Sequence, residues 1–510
     1  MRVSIFVGLA ASVYAGLPAA AAGQRPQPAG TLDTQRVALA VDTFAQRVFE
    51  TGATPGLGVA VVLVGRSVYE RAFGVTDITT GAMASSETLW YIASTTKSLT
   101  GFAAALLAER GALDLDAPIT RVLPSAQWHP EARAEDLDVM AFLTHTHGLA
   151  GNGPITLRTA YTGQFDDTAE LLRLLAHHPP TDSRAFSYSN IGYNVAGFVL
   201  EAATGEDWKT IVAREVLTPA GMQTTSAMLS QIDRARLALP HAMRADGTFE
   251  RVPFGKVDAT MHAAGGHVST LGDLARWIAI QMDAGMIDGR RVFPETVVRN
   301  THRLHVPQER DFAFLHRVGW GIGWDIGTYE GDTIVHRHGG YSGTRSHVSF
   351  SPAHRIGVVA QVNAGTGSPA TDLIASYVYD LAAGRSGADD RAAQNLVRLT
   401  ESLVRARTAI REDRDRRAAR QTPLPRPLVD YAGAYENDAL GTMVWTVANE
   451  GGLHVQWGAL EGPAEVFDAD ANSLRIELLG SGQVVEFVFD GVGAATALRT
   501  LGETFGRTER

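Results

Sequence analysis

The amino-terminal part of the chain combines helical and β-type patterns of apolar residues. Leu32 to Glu50 has the spacing of an amphipathic helix. The β-branched run Leu57 to Val64 is followed by Gly65-Arg66 and then by Ser67 to Phe73. These runs predict a β-hairpin whose two-residue turn begins with Gly. A second helix is predicted further on, with an apolar face formed by Leu99, Phe102, Ala103, Leu106 and Leu107.

The middle of the chain is mostly helical in pattern up to about Leu304, and β-type runs return only after it. A further helix is predicted over Leu373 to Ala382. Because connections between neighbouring elements are short, the early hairpin and the late strands are expected to share one antiparallel sheet. We therefore predict an α+β fold, with helices flanking this sheet and a mainly helical lobe beside it. The late β-type runs are Gly319 to Ile326, Thr333 to His338, Arg345 to Phe350 and Ile356 to Val362.

The pattern changes again after residue 384. Residues 385–427 carry a dense run of Arg, Asp and Glu that ends in Pro423, Pro425 and Pro427, which predicts a charged helical linker. Residues 428–510 alternate short apolar runs with Gly and Asn turns. This spacing predicts a small all-β barrel or sandwich as a separate carboxyl-terminal domain, after a main domain at residues 30–384.

The first 22 residues have the three parts of a secretory signal: Met1-Arg2, an apolar segment from Val3 to Leu17, and small residues around Ala22. We expect cleavage there and export to the periplasm or the medium, without stable membrane insertion afterwards. An uncleaved anchor is the alternative, because Val3 to Ala22 is nearly long enough to span a bilayer.

Composition limits the classes of partner. The formal net charge of -10 argues against nucleic-acid binding, and the absence of Cys excludes disulfides and thiolate catalysis. A small-molecule substrate is therefore expected. The sequence leaves the oligomeric state open.

Ser94-Thr95-Thr96-Lys97 stands at the start of the second predicted helix. Residues three apart lie on one helix face, so the Lys97 amine is expected beside the Ser94 hydroxyl, where it can act as the base that activates a nucleophile. Lysine is rare here: it occurs only at 97, 209 and 256, whereas Arg cannot serve as a base. A helix start with a solvated Lys is the alternative reading of this motif alone.

Two further segments have the residue types of an active site: Tyr188-Ser189-Asn190, and His338-Gly339-Gly340 at the end of a predicted strand. With Ser94-x-x-Lys97 they occur in the order Ser-x-x-Lys, Tyr-x-Asn and Lys/His-x-Gly. In these three boxes the chain resembles the penicillin-binding and class C β-lactamase-like serine hydrolases, in particular the esterase and D-aminopeptidase-like branch. The resemblance extends from about Leu32 to Gly384, and residues 431–510 resemble the β domain often appended to this family.

The resemblance implies a role for each box. Ser94 would form an acyl-enzyme, with Lys97 and Tyr188 sharing the proton transfers. Asn190 would donate to the substrate or contact Lys97. The backbone N–H groups of Ser94 and Tyr341 would hold the oxyanion. Gly339 and Gly340 would let the substrate approach the strand closely.

His338 would stand where penicillin targets carry Lys, and would read substrate charge between about pH 5 and 8. This favours esterase or peptidase activity on esters, amides or short peptides over β-lactam hydrolysis. Two alternatives stay open: a non-turnover penicillin binder or sensor, and a metallohydrolase that uses His145-x-His147 or His336-x-His338 as ligands. For the leading hypothesis we expect neither a cofactor nor a metal.

Overall fold

The computed structural model describes residues 33–151, 153–253, 255–420, 422–449, 451–478 and 482–508. The predicted signal segment, residues 1–22, lies outside them. Within the described ranges, no helix has both the length and the apolar character needed to cross a bilayer.

An antiparallel sheet dominates the first 384 residues. Nine of the described strands form it, in the order β10-β11-β12-β13-β14-β15-β1-β2-β3, so the early hairpin lies beside the late strands as predicted. The strands of this part are β1 Gly56–Leu63, β2 Arg66–Asp77, β3 Ala82–Met83, β4 Trp90–Tyr91, β5 His241–Met243, β6 Phe249–Arg251, β7 Val268–Ser269, β8 Met286–Ile287, β9 Arg290–Arg291, β10 Val306–Phe312, β11 Leu315–Trp320, β12 Asp325–Tyr329, β13 Asp332–Tyr341, β14 Thr344–Ser351 and β15 Ile356–Val362.

Helices cover both faces of the sheet. Strand β1 is buried along its whole length, because Val59 and Val61 face one apolar cluster while Ala60 and Val62 face another. Most helices of the middle of the chain form the predicted lobe beside the sheet, whereas the helix at 388–418 packs against the helix at 368–382. The helices are α1 Thr34–Glu50, α2 Thr96–Glu109, α3 Ile119–Val122, α4 Val139–Leu143, α5 Pro154–Leu157, α6 Thr168–Arg173, α7 Asn190–Thr204, α8 Trp208–Val212, α9 Thr218–Ala220, α10 Leu271–Met282, α11 Glu295–His302, α12 Ser368–Ala382 and α13 Ala388–Ala418. Helices α1 and α12 contact one face of the sheet and α10 contacts the other.

Three details of the sheet differ from the sequence prediction. The β1–β2 turn is Val64-Gly65, both with positive φ, so the turn lies one residue earlier than expected. The run 319–326 is divided between β11 and β12 by a turn. Strand β10 was not predicted, because Val306–Phe312 is largely exposed and lacks an apolar face.

The carboxyl-terminal residues form a closed eight-stranded barrel. After a short helix, α14 Leu428–Tyr431, the strands pair in sequence order, and the last pairs with the first to close the barrel. They are β16 Gly433–Asn437, β17 Gly441–Val447, β18 Leu453–Trp457, β19 Leu460–Asp468, β20 Ser473–Ile476, β21 Gln483–Val488, β22 Ala497–Thr500 and β23 Glu503–Thr508. The predicted fold class, an α+β domain followed by a small β domain, is confirmed.

Candidate active site

Ser94 lies in a 3-10 turn, Ala93–Thr95, that leads directly into α2. Ala93 has a φ of 44°, a conformation that costs a residue with a Cβ about 1–2 kcal/mol. Ser94 is partly exposed, whereas both neighbours are buried. The strained turn therefore presents one hydroxyl at the surface of an otherwise buried segment.

Lys97 is fully buried one turn after Ser94. Its Nζ lies 3.2 Å from Ser94 Oγ, 2.8 Å from Asn190 Oδ1 and 2.7 Å from the Ala264 carbonyl. When the amine is neutral, its two N–H groups can donate to Asn190 and Ala264, and the lone pair then faces the Ser94 hydroxyl. The predicted i, i+3 arrangement is present, and two acceptors orient the amine.

Burial lowers the pKa of Lys97 to about 8. The Tyr188 hydroxyl also contacts both Lys97 and Ser94. Burial alone would raise the pKa of Tyr188, but the charges of Arg337 and Lys97 outweigh it and lower that pKa to about 8. Two proton acceptors with pKa values close to neutrality thus flank one hydroxyl.

Arg337 on β13 is the side chain that the strand presents to this site. Its Nη2 donates to the Tyr188 hydroxyl at 2.6 Å, its Nε donates to the Ser94 carbonyl at 3.1 Å, and its Nη1 lies 2.5 Å from Asp325 Oδ2. Asp325 is 1% exposed and is also approached by Arg317 at 3.3 Å. Protein groups therefore occupy all three nitrogens of the guanidinium, and its positive charge lies next to the Tyr188 oxygen.

His338 does not face the nucleophile, so its predicted role as a reader of substrate charge is wrong. Side chains alternate along a strand, and His338 points to the opposite face of the sheet from Arg337. There its Nε2 lies 2.9 Å from Asp372 Oδ1 of α12. Burial holds the pKa of His338 well below 6.5, against the opposing charge of Asp372, so the ring stays neutral at physiological pH.

On that opposite face, His338 belongs to a hydrogen-bonded chain of buried side chains. His338 Nε2 and His347 Nδ1 both lie 2.9 Å from Asp372 Oδ1, so each carries its proton there and donates. His347 Nε2 can then accept from Ser349 Oγ at 2.6 Å, and Ser349 accepts from the Tyr379 hydroxyl at 2.6 Å. One assignment of donors and acceptors satisfies all these contacts.

The same residues are the group that could in principle ligate a metal. In the described ranges, His338, His347 and Asp372 form the one cluster of this kind, with ligand atoms within 4.8 Å of one another. The hydrogen bonds above already use each of these atoms. His145 and His147 belong to no such cluster in the part of the chain that the structure describes.

Tyr341 is also placed differently from the prediction. The two-residue turn Ser342-Gly343 closes β13 onto β14, which makes Tyr341–Thr344 a hydrogen-bonded pair. The N–H of Tyr341 therefore points into the sheet, and that of Gly340 points to the opposite edge. Strand β12 pairs with β13 only as far as His336, so no described strand pairs with β13 at Gly340 on that edge.

Gly339 is required by the approach of β13 to the nucleophile turn. A Cβ at this position would lie 2.0 Å from the Ile92 carbonyl oxygen and 3.0 Å from Ser94 N. Only glycine fits such a contact. Gly339 therefore brings the strand edge against the backbone of Ser94, a contact that differs from the predicted close approach of a substrate to the paired glycines.

The segment that carries Tyr188 and Asn190 is held by His147, which the sequence analysis considered only as a possible metal ligand. His147 Nδ1 accepts from the Leu149 N–H at 3.0 Å, so its Nε2 donates to Ser189 Oγ at 3.0 Å. Burial lowers the pKa of His147 to about 3, which keeps the ring neutral. Because Ser189 stands between Tyr188 and Asn190, this bond fixes the segment that carries both.

Comparisons with known proteins show the family to which the chain belongs. The sequence profile of the Beta-lactamase family matches residues 41–383. The chain belongs to the Beta-lactamase family. Membership supports serine hydrolase or acyl-transferase chemistry in general, because relatives with this fold are usually serine hydrolases.

Relatives within the Beta-lactamase family are distant in sequence. The unguisins hydrolase of Aspergillus violaceofuscus is 26% identical over 63% of this chain, and the match spans 60% of that hydrolase. Penicillin-binding protein 4 of Amycolatopsis lactamdurans is 26% identical over 65% of this chain and 87% of its own length. The octameric penicillin-binding protein homologue from Pyrococcus abyssi matches in structure with a TM-score of 0.59 and 18% identity, over 91% of this chain and 98% of that one. This last likeness includes the barrel and shows the shared fold.

Within this Beta-lactamase-family site, sequence reasoning missed Arg337, Asp325 and the Ala264 carbonyl. A signal for Arg337 was available. If Gly339 faces the nucleophile, strand alternation places residue 337, not 338, on the same face. The Ala264 carbonyl carried no side-chain signal, because any residue supplies that group.

Proposed function

We propose that this chain is a serine hydrolase that cleaves ester or amide bonds through an acyl-enzyme on Ser94. The proposal rests on the position of Lys97 Nζ, 3.2 Å from Ser94 Oγ with its remaining donors directed at two carbonyl oxygens. A buried amine oriented in this way is arranged to accept the serine proton.

The proposed reaction has two steps. Ser94 Oγ attacks the substrate carbonyl carbon while its proton passes to neutral Lys97 or to the Tyr188 phenolate. The N–H groups of Ser94 and Gly340 hold the oxyanion that forms. Collapse of the tetrahedral intermediate breaks the bond to the leaving group, which takes a proton from Tyr188. Water then repeats the attack on the acyl-enzyme with the same groups as base, and the acid product leaves Ser94 free.

The proposed substrates are esters, amides and short peptides, with β-lactams as a secondary class. Relatives named as a hydrolase and as a penicillin-binding protein support acyl transfer from amide-type substrates. We further propose export to the periplasm or the medium, on the basis of the amino-terminal signal pattern.

Labelling with a fluorophosphonate, followed by peptide mapping, tests the nucleophile. We expect one adduct, on Ser94, and no turnover of p-nitrophenyl esters by Ser94→Ala. An adduct on another residue, or full activity of that variant, would contradict the proposal. A single burst of product equal to enzyme, without steady-state turnover, would instead support the non-turnover binder.

The rarity of lysine offers a matched test of the base. Lys97→Arg should lose at least about a thousandfold in kcat, because guanidinium cannot accept the serine proton. Lys209→Arg is the control, since Lys209 donates to the Asp258 carbonyl and, among the described residues, makes no hydrogen bond with Ser94, Lys97 or Tyr188. Equal activity of both variants would refute the role of Lys97.

A further inference from the structure

A buried arginine is one of the residues through which the catalytic domain contacts the barrel. The Arg158 side chain is 8% exposed and spans the two domains. Its Nε and Nη2 donate to the carbonyls of Ala439 and Asp438 in the barrel, each at 2.7 Å. Its Nη1 donates to the Gln164 carbonyl at 2.7 Å and to Glu170 at 2.9 Å. Four directed bonds to a buried cation make this a strong constraint on the segment that carries it.

Other bonds from the same segment also reach the barrel. Arg158–Thr162 forms a π-helical turn, and the Thr162 carbonyl accepts from the Ala459 N–H at 2.8 Å. The Gln164 amide pairs with both the N–H and the carbonyl of Thr442, each at 3.0 Å. A Cβ at Gly458 would lie 2.1 Å from the Thr162 oxygen, so the two domains are in close backbone contact here.

The opposite side of this turn faces β13 on the side of the nucleophile. The Tyr161 ring lies 5.8 Å from the ring of Tyr341. Tyr341 follows Gly339 by two residues and so shares its face of the strand. The Ala160 carbonyl accepts from buried Lys256 at 2.9 Å, and Lys256 Nζ lies 4.0 Å above the Tyr341 ring. Tyr161 and Tyr341 both remain partly exposed, so together they form a wall beside the nucleophile.

We infer that Tyr161 is a specificity-determining residue of the cleft and that Arg158 is a positioning residue through which the barrel sets its place. The inference rests on the proposed hydrolase function and adds to it a selection for the size of the substrate. A substrate lying along the free edge of β13 beyond Gly339 meets the Tyr161–Tyr341 wall. Movement of the π-helical turn would open that wall without altering Ser94, Lys97 or Tyr188.

The test compares a small ester, p-nitrophenyl acetate, with two bulky ones: p-nitrophenyl octanoate, bulky in its acyl group, and an acetate of a bulky chromogenic alcohol. Tyr161→Ala and Arg158→Ala should each raise the ratio of kcat/KM for at least one bulky ester over the small one by fivefold or more, mainly through KM. The double variant should shift the ratio no further than Tyr161→Ala alone, because Arg158 acts through Tyr161.

Arg417→Ala is the matched control. Arg417 lies in helix α13 of the linker segment and also bonds to the barrel, through Glu465 and Glu477, but the structure gives it no contact with the π-helical turn. We expect its ratio to stay within twofold of the wild-type value. A ratio unchanged in Tyr161→Ala, additive shifts in the double variant, or an equal shift in Arg417→Ala would each overturn the inference.

Gln164→Ala provides a second route if Arg158→Ala is insoluble. It removes the two bonds to Thr442 and should shift the ratio in the same direction by a smaller factor, and no shift would count against the inference. Fluorophosphonate labelling of Ser94 in every variant separates the two proposals. Absence of Ser94 labelling in the wild type would contradict the proposed hydrolase function. Normal labelling with an unchanged ratio of kcat/KM for bulky over small esters would contradict only the specificity role.

Discussion

Replacement of Arg337 by Gln should move the pH dependence of catalysis. Arg337 is the largest of the influences that lower the pKa of Tyr188 from 10.0 to about 8, and it also lowers that of Lys97. Without the guanidinium, burial and the nearby Asp325 carboxylate would both favour the protonated phenol. The pKa values of both proton acceptors should therefore rise, whichever of them takes the serine proton.

The size of the effect follows from the Tyr188 values. With a pKa of about 8, roughly a tenth of Tyr188 is ionised at pH 7, and with a pKa of 10 or more the fraction is about a thousandth or less. A step that requires the Tyr188 phenolate should then be about a hundredfold slower at pH 7. Because the base must be deprotonated, kcat/KM rises with pH through this pKa, and the rise should move from near pH 8 to pH 10 or above.

The assay is a pH series of kcat/KM for a neutral ester in wild type, Arg337→Gln and Arg337→Lys. The Lys variant keeps a positive charge on β13 and should retain most of the wild-type profile. Ultraviolet titration of tyrosinate, taken as the difference from Tyr188→Phe, measures the same pKa without turnover. Coincident profiles for wild type and Arg337→Gln would refute the assignment of Arg337 as the charge that ionises Tyr188.

Three further predictions concern the strand, the segment before α7 and the buried histidines. Gly339→Ala should abolish ester turnover, because its Cβ would lie 2.0 Å from the Ile92 oxygen; Gly340→Ala, with nothing closer than 3.8 Å, should be far milder, and equal rates in the two would contradict the strand contact. His147→Ala should lower kcat by about tenfold or more by freeing Ser189, and His177→Ala, at a position with an exposed side chain, serves as the control in the same assay. Burial lowers the pKa of His147, His267 and His302 to about 3, so the unfolded chain binds protons below about pH 6.5 that the native chain does not. Stability should fall by up to about 1.4 kcal/mol per histidine for each pH unit below 6.5, and a melting temperature that is constant from pH 7 to 5 would refute this.

The sequence predicted the fold class because periodicity and chain order carry that information. The β1–β2 hairpin and helix α12 followed from apolar runs with clear spacing. Strand β10 was missed because its residues are largely exposed. An edge strand stabilised by backbone pairing leaves little trace in side-chain pattern.

The candidate site was predictable where residues close in sequence act together. Ser94 and Lys97 share one helical turn, so their spacing was informative. Arg337, Asp325 and Ala264 reach the site from three separate elements, and such contacts depend on tertiary packing. The prediction for His338 was wrong for another reason. The third box was matched to the family by residue type at position 338, and a shift of one position along a strand moves a side chain to the other face of the sheet.

That exchange has a consequence for comparing this chain with its relatives. The Ser342-Gly343 turn sets which residues of β13 are opposite which residues of β14, and with it the side chain that meets the nucleophile. If relatives are aligned by the Lys or His of the third box, this chain is grouped with sequences that have His at that position. If they are aligned by the glycine that contacts the Ser94 turn, the position two residues earlier is Arg337, and this chain is grouped by its arginine. The two schemes would therefore group the same sequence with different relatives.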